Sequence, residues 1–260
     1  MEKNQEDLGE RLERFVKEQA SVFGEVISYV PAKLAVTTVQ PSEPVAAKAT
    51  PAAVVSSLTG LEERLAVHKN EPWYNAPSLE VLESQIHDCQ KCRLGPLRKK
   101  FVFGVGNPNA KLMIIGEAPG ADEDEQGIPF VGRAGQLLTK MLKAIEFERE
   151  DVYIANILKS RPPNNRDPKP DEVETCEPYL WKQISLIKPK IILCLGRIAG
   201  TNLLKTNESL GKMRGQVFDL FGVNVVVTYH PAALLRNPDW KHGAWEDLKK
   251  VRRMYDELEA

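Results

Sequence analysis

The sequence predicts an α/β fold: a three-layer α/β/α domain on a central, mainly parallel four-stranded sheet, preceded by a helical and disordered N-terminal extension. Three observations predict it. Short, nearly unbroken apolar runs ("KLMIIG", "VYIANIL", "KIILCLG" and "VNVVVT") recur from Lys111 onward, as strands buried on both faces do. Amphipathic stretches of helical length separate them, the arrangement that parallel βαβ units require. Polar loops of unusual composition follow three of these runs, at the carboxyl ends where an open parallel sheet holds its ligands.

Taken in chain order, residues 5–24 set Leu8, Leu12, Phe15, Val16, Val22 and Phe23 at roughly helical spacing among many charges. Residues 1–30 therefore read as an amphipathic arm. Residues 31–76 turn to Ala, Pro, Val and Thr, with no aromatic between Tyr29 and Trp73, and read as a flexible linker with a short helix. The main domain is placed at 77–260 and opens with an amphipathic segment, about 77–88, leading into Cys89-Gln-Lys-Cys92. "KLMIIG" is the first strand and ends at Gly116; in "GRAGQLLTKMLKAI", Leu137, Leu138, Met141, Leu142 and Ile145 fall at helical spacing. "VYIANIL" is the second strand, and "PDEVETCEPYLWKQISLI" the second helix, with Pro170 and Asp171 at its start. "KIILCLG" is the third strand, with a helix from about Arg197. "QVFDLFGVNVVVTYH" reads as a hairpin ending in the fourth core strand, and "AWEDLKKVRRMYDEL" as the closing helix.

Composition narrows the function classes. Lys and Arg number 35 against 36 Asp and Glu, so net charge argues for neither a nucleic-acid nor a membrane partner. A local basic loop on a neutral protein still binds phosphates. No apolar run approaches the roughly 18 residues of a membrane span, and "MEKNQEDLGERLERF" lacks a signal-peptide core. The expectation is a cytoplasmic monomer with no membrane contact. Four cysteines are too sparse for a disulfide framework. The Cys89–Cys92 spacing fits coincidental thiols, metal or iron–sulfur ligation, or a redox pair. The last is the weakest, because the motif follows a helix-like stretch instead of opening a βαβ unit.

The three loops suggest a base-binding pocket. "GEAPGADEDEQGIPFVG" lacks the Gly-Lys-Ser/Thr ending of a phosphate loop, and its acids would repel phosphates. It offers carboxylates (Glu117, Asp122, Glu123, Asp124), main-chain N–H groups around Gly120, and an aromatic, Phe130. Asn156 supplies a donor–acceptor pair suited to a base edge, and His230 a proton or hydrogen bond for a leaving group. Arg161, Asn164, Asn165, Arg166 and Arg236 are candidates for holding DNA phosphates. Together they describe a flipped nucleobase in a pocket with a backbone clamp.

"GEAPGADEDEQGIPFVGRAGQLL", "YIANILKSRPPNNR" and "YHPAALLRNP", in this order and spacing from about Leu82 to the C-terminal helix, closely resemble the family 4, iron–sulfur type uracil-DNA glycosylases. The resemblance implies a repair enzyme that hydrolyses the N-glycosidic bond of deoxyuridine in single- or double-stranded DNA. It makes Gly116, Glu117, Ala118, Pro119 and Gly120 the motif whose backbone lines the uracil pocket. Phe130 becomes the stacking aromatic, Asn156 the reader of the uracil edge, and His230 the group that stabilises the departing anion. Ala118 stands where a better-known family carries a water-orienting Asp, which leaves that role to Glu117, to Glu123, or to neither; Glu123 is alternatively a wall against the thymine methyl. The loop from Pro231 to Pro238 enters the DNA, with Leu234 or Leu235 as the apolar wedge. Three cluster ligands match Cys89, Cys92 and Cys176, while Ser160 stands at the fourth; Cys194, inside the third strand, reads as a core thiol. The expected cofactor is thus a weakened [4Fe–4S] cluster, the alternatives being a three-iron cluster or none. A second reading is a degenerate, inactive DNA-binding or polymerase-associated module, docked to a protein partner through the N-terminal arm.

Overall fold

A computed structural model describes residues 59–259; the arm at residues 1–30 and the linker up to residue 58 lie outside the described residues. In chain order the strands are β1 (Val105–Gly106), β2 (Leu112–Gly116), β3 (Tyr153–Asn156), β4 (Ile191–Leu195), β5 (Phe218–Leu220) and β6 (Val223–Thr228). The helices are α1 (Thr59–Ala66), α2 (Leu79–Ile86), α3 (Ala121–Gln126), α4 (Arg133–Lys143), α5 (Pro170–Ile187), α6 (Arg197–Leu204), α7 (Leu210–Met213), α8 (Pro231–Arg236) and α9 (Lys241–Glu259).

The strands form one sheet in the order β1-β3-β2-β4-β6-β5. The four apolar runs supply its parallel centre, and β1 and β5 pair antiparallel at its two edges. The expected four strands are therefore six. β5 is the outer arm of the anticipated hairpin. β1 is only two residues long, too short to show a period, and Gly106 at φ 126° lets it approach the β3 backbone where a Cβ would overlap the Val152 carbonyl.

Alternation along the strands produces the three layers. Met113, Ile115, Ala155, Ile192, Cys194, Val225 and Val227 face a core shared with α1, α2, α5 and α6. Leu112, Ile114, Ile154, Ile191, Leu193 and Val226 face the opposite core, closed by α4 and α9. The first of these cores reaches upstream of residue 77, since Leu61, Leu65 and Trp73 are buried in it. Cys194 is fully buried there, and burial pushes its thiol well above the usual range.

Candidate active site

β2 lies between β3 and β4, so the chain leaves it to one side and returns on the other, opening a crevice at the carboxyl ends. A cavity of about 490 Å³ occupies this crevice. Glu117, Ala118, Pro119, Gly120 and Glu123 line it from the loop after β2, with Phe130, Asn156 and His230. Asn165, Arg166 and Arg236 line it as well, whereas Arg161, Asn164, Leu234 and Leu235 do not.

Gly116 and Asn156 are cross-strand partners at the ends of β2 and β3. A Cβ at Gly116 would overlap both the Asn156 side-chain oxygen and the Phe130 ring, so glycine there lets the two come together at the strand end. Phe130 is buried and takes a left-handed φ of 54°, an unfavourable conformation for a bulky residue. Four hydrogen bonds and one glycine hold this segment. Arg149 donates from Nη1 to the Phe130 carbonyl at 3.1 Å and from Nη2 to the Pro129 carbonyl at 2.9 Å. Glu123 Oε1 accepts from the N–H of Val131 and Gly132 at 2.9 and 3.0 Å. Gly135 leaves room for the Phe130 carbonyl, which a Cβ would overlap.

The remaining polar groups differ in what they are free to do. The Asn156 Oδ1 atom is buried and has no hydrogen-bond partner among the described residues, an expensive state for an acceptor unless a ligand satisfies it. His230 sits one residue before α8, 5.7 Å from the Phe130 ring between centroids. Its Nδ1 accepts from the Ala232 N–H at 3.1 Å, which assigns the neutral ring's proton to Nε2. Burial, reinforced by the Arg236 charge, lowers its pKa to about 4, so the ring is a neutral donor at physiological pH.

The two carboxylates are separated by their partners. Glu123 Oε2 also accepts from the Gly120 N–H at 3.1 Å, so its carboxylate is occupied in bracing the loop. The Glu117 carboxylate accepts no hydrogen bond among the described residues, although its main-chain carbonyl accepts from the Leu158 N–H at 3.0 Å. Burial, and then the nearby Asp167 carboxylate, raises its pKa to about 7, with Arg197 opposing.

Two comparisons with known proteins bear on this geometry. The model of the Uracil DNA glycosylase superfamily matches residues 103–249. The type-4 uracil-DNA glycosylase of Saccharolobus solfataricus is 47% identical over 184 residues, covering 67% of this chain and 85% of that protein. That of Archaeoglobus fulgidus is 45% identical over 182 residues, 67% of this chain and 92% of that protein. The chain belongs to the uracil-DNA glycosylase superfamily, in its type-4 branch. A DNA polymerase of Bacillus phage SP01 is 31% identical over 151 residues, 58% of this chain but 16% of the polymerase.

Within this family member, several expected DNA contacts need correction. Arg166 is not a free phosphate clamp: it forms a two-pronged pair with Glu172, at 2.8 and 2.6 Å, and Glu172 is fully buried. Arg161 Nε donates to Asn165 Oδ1 at 2.8 Å. Asn164 and Asn165 both take left-handed backbone, which asparagine tolerates, so "PPNNR" is a preshaped turn. Leu234 is 0% exposed and packs between α4, α9 and the sheet, so it is not the wedge; Leu235, 40% exposed, is the leucine that faces outward.

The cysteines gather without completing a ligand set. Cys89 and Cys92, after α2, pack against the core that contains Cys176 of α5. Burial pushes the Cys176 thiol up to about 12, with Lys159 opposing and Cys92 and Cys89 adding to the rise. Cys89 Sγ lies 3.1 Å from the Tyr179 hydroxyl, and the Lys159 N–H donates to Cys176 Sγ at 3.3 Å. Ser160, next in the chain, is 5% exposed. No three His, Cys, Asp or Glu side chains form a metal-holding group among the described residues. Three thiols and a hydroxyl do not fit a cluster that needs four thiolates.

Sequence reasoning missed the groups that position the site from a distance. Arg149 is one. Asp167, which sets the charge beside Glu117, is another. Lys159 is a third: fully buried, it donates from Nζ to the Asn156 carbonyl at 3.0 Å and to Gln183 Oε1 at 2.6 Å. Its flanking apolar run was the available signal, since a lysine inside "NILKS" must find buried acceptors.

Proposed function

We propose that the chain hydrolyses the N-glycosidic bond of deoxyuridine in DNA, releasing uracil and leaving an abasic site. The observation that carries this reading is the buried, unpartnered Asn156 oxygen in the cavity that Phe130 and the neutral His230 also line. The Asn156 oxygen accepts from uracil N3–H while the amide N–H donates to O4, and Phe130 stacks on the ring. As the C1′–N1 bond breaks, its electron pair leaves on uracil. His230 Nε2–H donates to O2, where the negative charge collects, and stabilises it without giving up the proton. Ionised Glu117 stabilises the oxocarbenium-like sugar and orients the water that adds to C1′; the water's proton passes to the carboxylate. Glu123 acts through the loop it braces. Release of free uracil from single-stranded and U:G oligonucleotides tests the assignment. The wild-type chain should release uracil from both, and His230→Ala should lose at least a hundredfold in rate. A wild-type chain that binds DNA and releases nothing would favour the binding-module reading, which the similarity to a stretch of a phage polymerase supports but the complete pocket opposes.

The cofactor belongs to the same proposal. Cys89, Cys92 and Cys176, with Ser160 in place of a fourth thiolate, would hold at most a weakened cluster, which would tie the segment after α2 to the loop after β3. No step of the reaction runs through it. Iron and sulfide should be substoichiometric after aerobic purification, and Ser160→Cys should raise both. Full occupancy that survives air in the wild-type chain would overturn this. A cytoplasmic setting and a docking role for the N-terminal arm complete the proposal.

A further inference from the structure

Beyond the pocket, the chain from His230 to α9 exposes two large apolar side chains, Leu235 at 40% and Trp240 at 43%. Trp240 is firmly held. It stacks on Tyr229 with ring centroids 5.0 Å apart and planes at 21°. Tyr229 in turn carries the Arg214 guanidinium 4.0 Å from its ring centre, and Arg214 Nη1 donates to its hydroxyl at 2.8 Å. Arg214 Nε donates to Asp247 at 2.7 Å, and Asp247, 3% exposed, also accepts from Thr228 Oγ1 at the end of β6 at 2.7 Å. The exposed indole thus stands at the end of a column rooted in the sheet.

Nothing in the reaction uses this column. Its middle ring, Tyr229, is the residue before His230, and its top lies four residues beyond Arg236, an exposed cation on the cavity rim. A rigid aromatic face on the segment that leads away from the rim of a base pocket suits single-strand binding, because every base has a face to stack. The local charge supports DNA without dominating it: Arg236 and Lys241 flank Trp240, and Asp239 offsets one of them.

We infer that Trp240, stacked on Tyr229, is a platform for a base next to the flipped uridine on the same strand. The inference rests on the glycosylase reading. It makes Trp240 a binding residue that acts separately from the chemistry in the pocket.

The test uses the full chain and a single-stranded oligonucleotide with one tetrahydrofuran abasic site, which binds without reacting. Trp240→Ala should weaken binding by about 5- to 150-fold, the range of one base–aromatic stack, with Trp240→Phe close to wild type. The dependence of binding on salt should stay as in the wild type, because no phosphate contact is removed. Uracil release from a deoxyuridine oligonucleotide at saturating protein should keep the wild-type rate. Four results would overturn the inference: Trp240→Ala binding like wild type, Trp240→Phe losing as much as alanine, a loss confined to duplex DNA, or a fall in the saturated rate matching the loss of affinity. The last would show Trp240 acting through Tyr229 on His230. If the wild-type chain neither binds DNA nor releases uracil, the glycosylase reading itself has failed, a distinct outcome.

Discussion

Glu117 offers the sharpest handle on the chemistry, because its environment puts its titration in an accessible range. Burial first, and the Asp167 carboxylate second, raise its pKa from 4.5 to about 7. If the ionised form orients the attacking water, the rate follows the ionised fraction, about 9% at pH 6 and about 91% at pH 8. Single-turnover uracil release should therefore rise about tenfold between those values. His230, with its pKa at about 4, contributes no inflection there. Two substitutions check the cause. Glu117→Gln should be slower and flat over this range, and Asp167→Asn should move the inflection to lower pH by removing a neighbouring negative charge. The assay is a quenched time course with enzyme in excess over a single-stranded substrate. A flat wild-type profile, or the same inflection surviving in Glu117→Gln, would refute the assignment of Glu117.

Three further outcomes are expected. Stability should carry opposing pH signatures: Glu117, raised in the folded state, contributes stability that is present below pH 4.5 and lost as pH rises through 7. His230, lowered from 6.5 to about 4, contributes stability that is present above 6.5 and lost as pH falls towards 4. Urea midpoints of Glu117→Gln should not show the loss between pH 5 and 7, a difference of about 1–3 kcal/mol after allowance for partial solvation. Leu234→Ala should cost about 2–5 kcal/mol in denaturant titrations, whereas Leu235→Ala should change stability by less than about 0.5 kcal/mol and weaken action on duplex more than on single strands. Arg149→Ala, which leaves two loop carbonyls without their donor, should cost about 1–3 kcal/mol and slow release, with Arg149→Lys recovering part of both.

The parallel centre of the sheet was legible because β2, β3, β4 and β6 are buried on both faces over nearly all of their length, which demands nearly unbroken apolar runs. α5 was legible to its first and last residue, since Pro170 opens it and an apolar stripe runs its length. β1 was not, because two residues carry no period. Nor was α3: "ADEDEQ" has no apolar face, and its helix depends on Glu123 reaching back to the Gly120 N–H. In the site, the residues at strand ends could be read because their chemistry is local. The choice between Leu234 and Leu235 depends on which side of a six-residue helix meets α4, and the choice between Glu117 and Glu123 on which backbone N–H groups lie nearby. Arg149 and Asp167 act across 19 and 50 residues of chain, respectively, so no local pattern announces them.

The central claim is that Asn156, whose buried side-chain oxygen has no partner among the described residues, selects uracil for excision. The most direct measurement is single-turnover uracil release by wild type and Asn156→Ala at saturating DNA, with binding to an abasic oligonucleotide measured in parallel. The account predicts a rate loss of at least about a hundredfold with abasic-DNA binding retained within a few fold. An Asn156→Ala variant that releases uracil at the wild-type rate would contradict it.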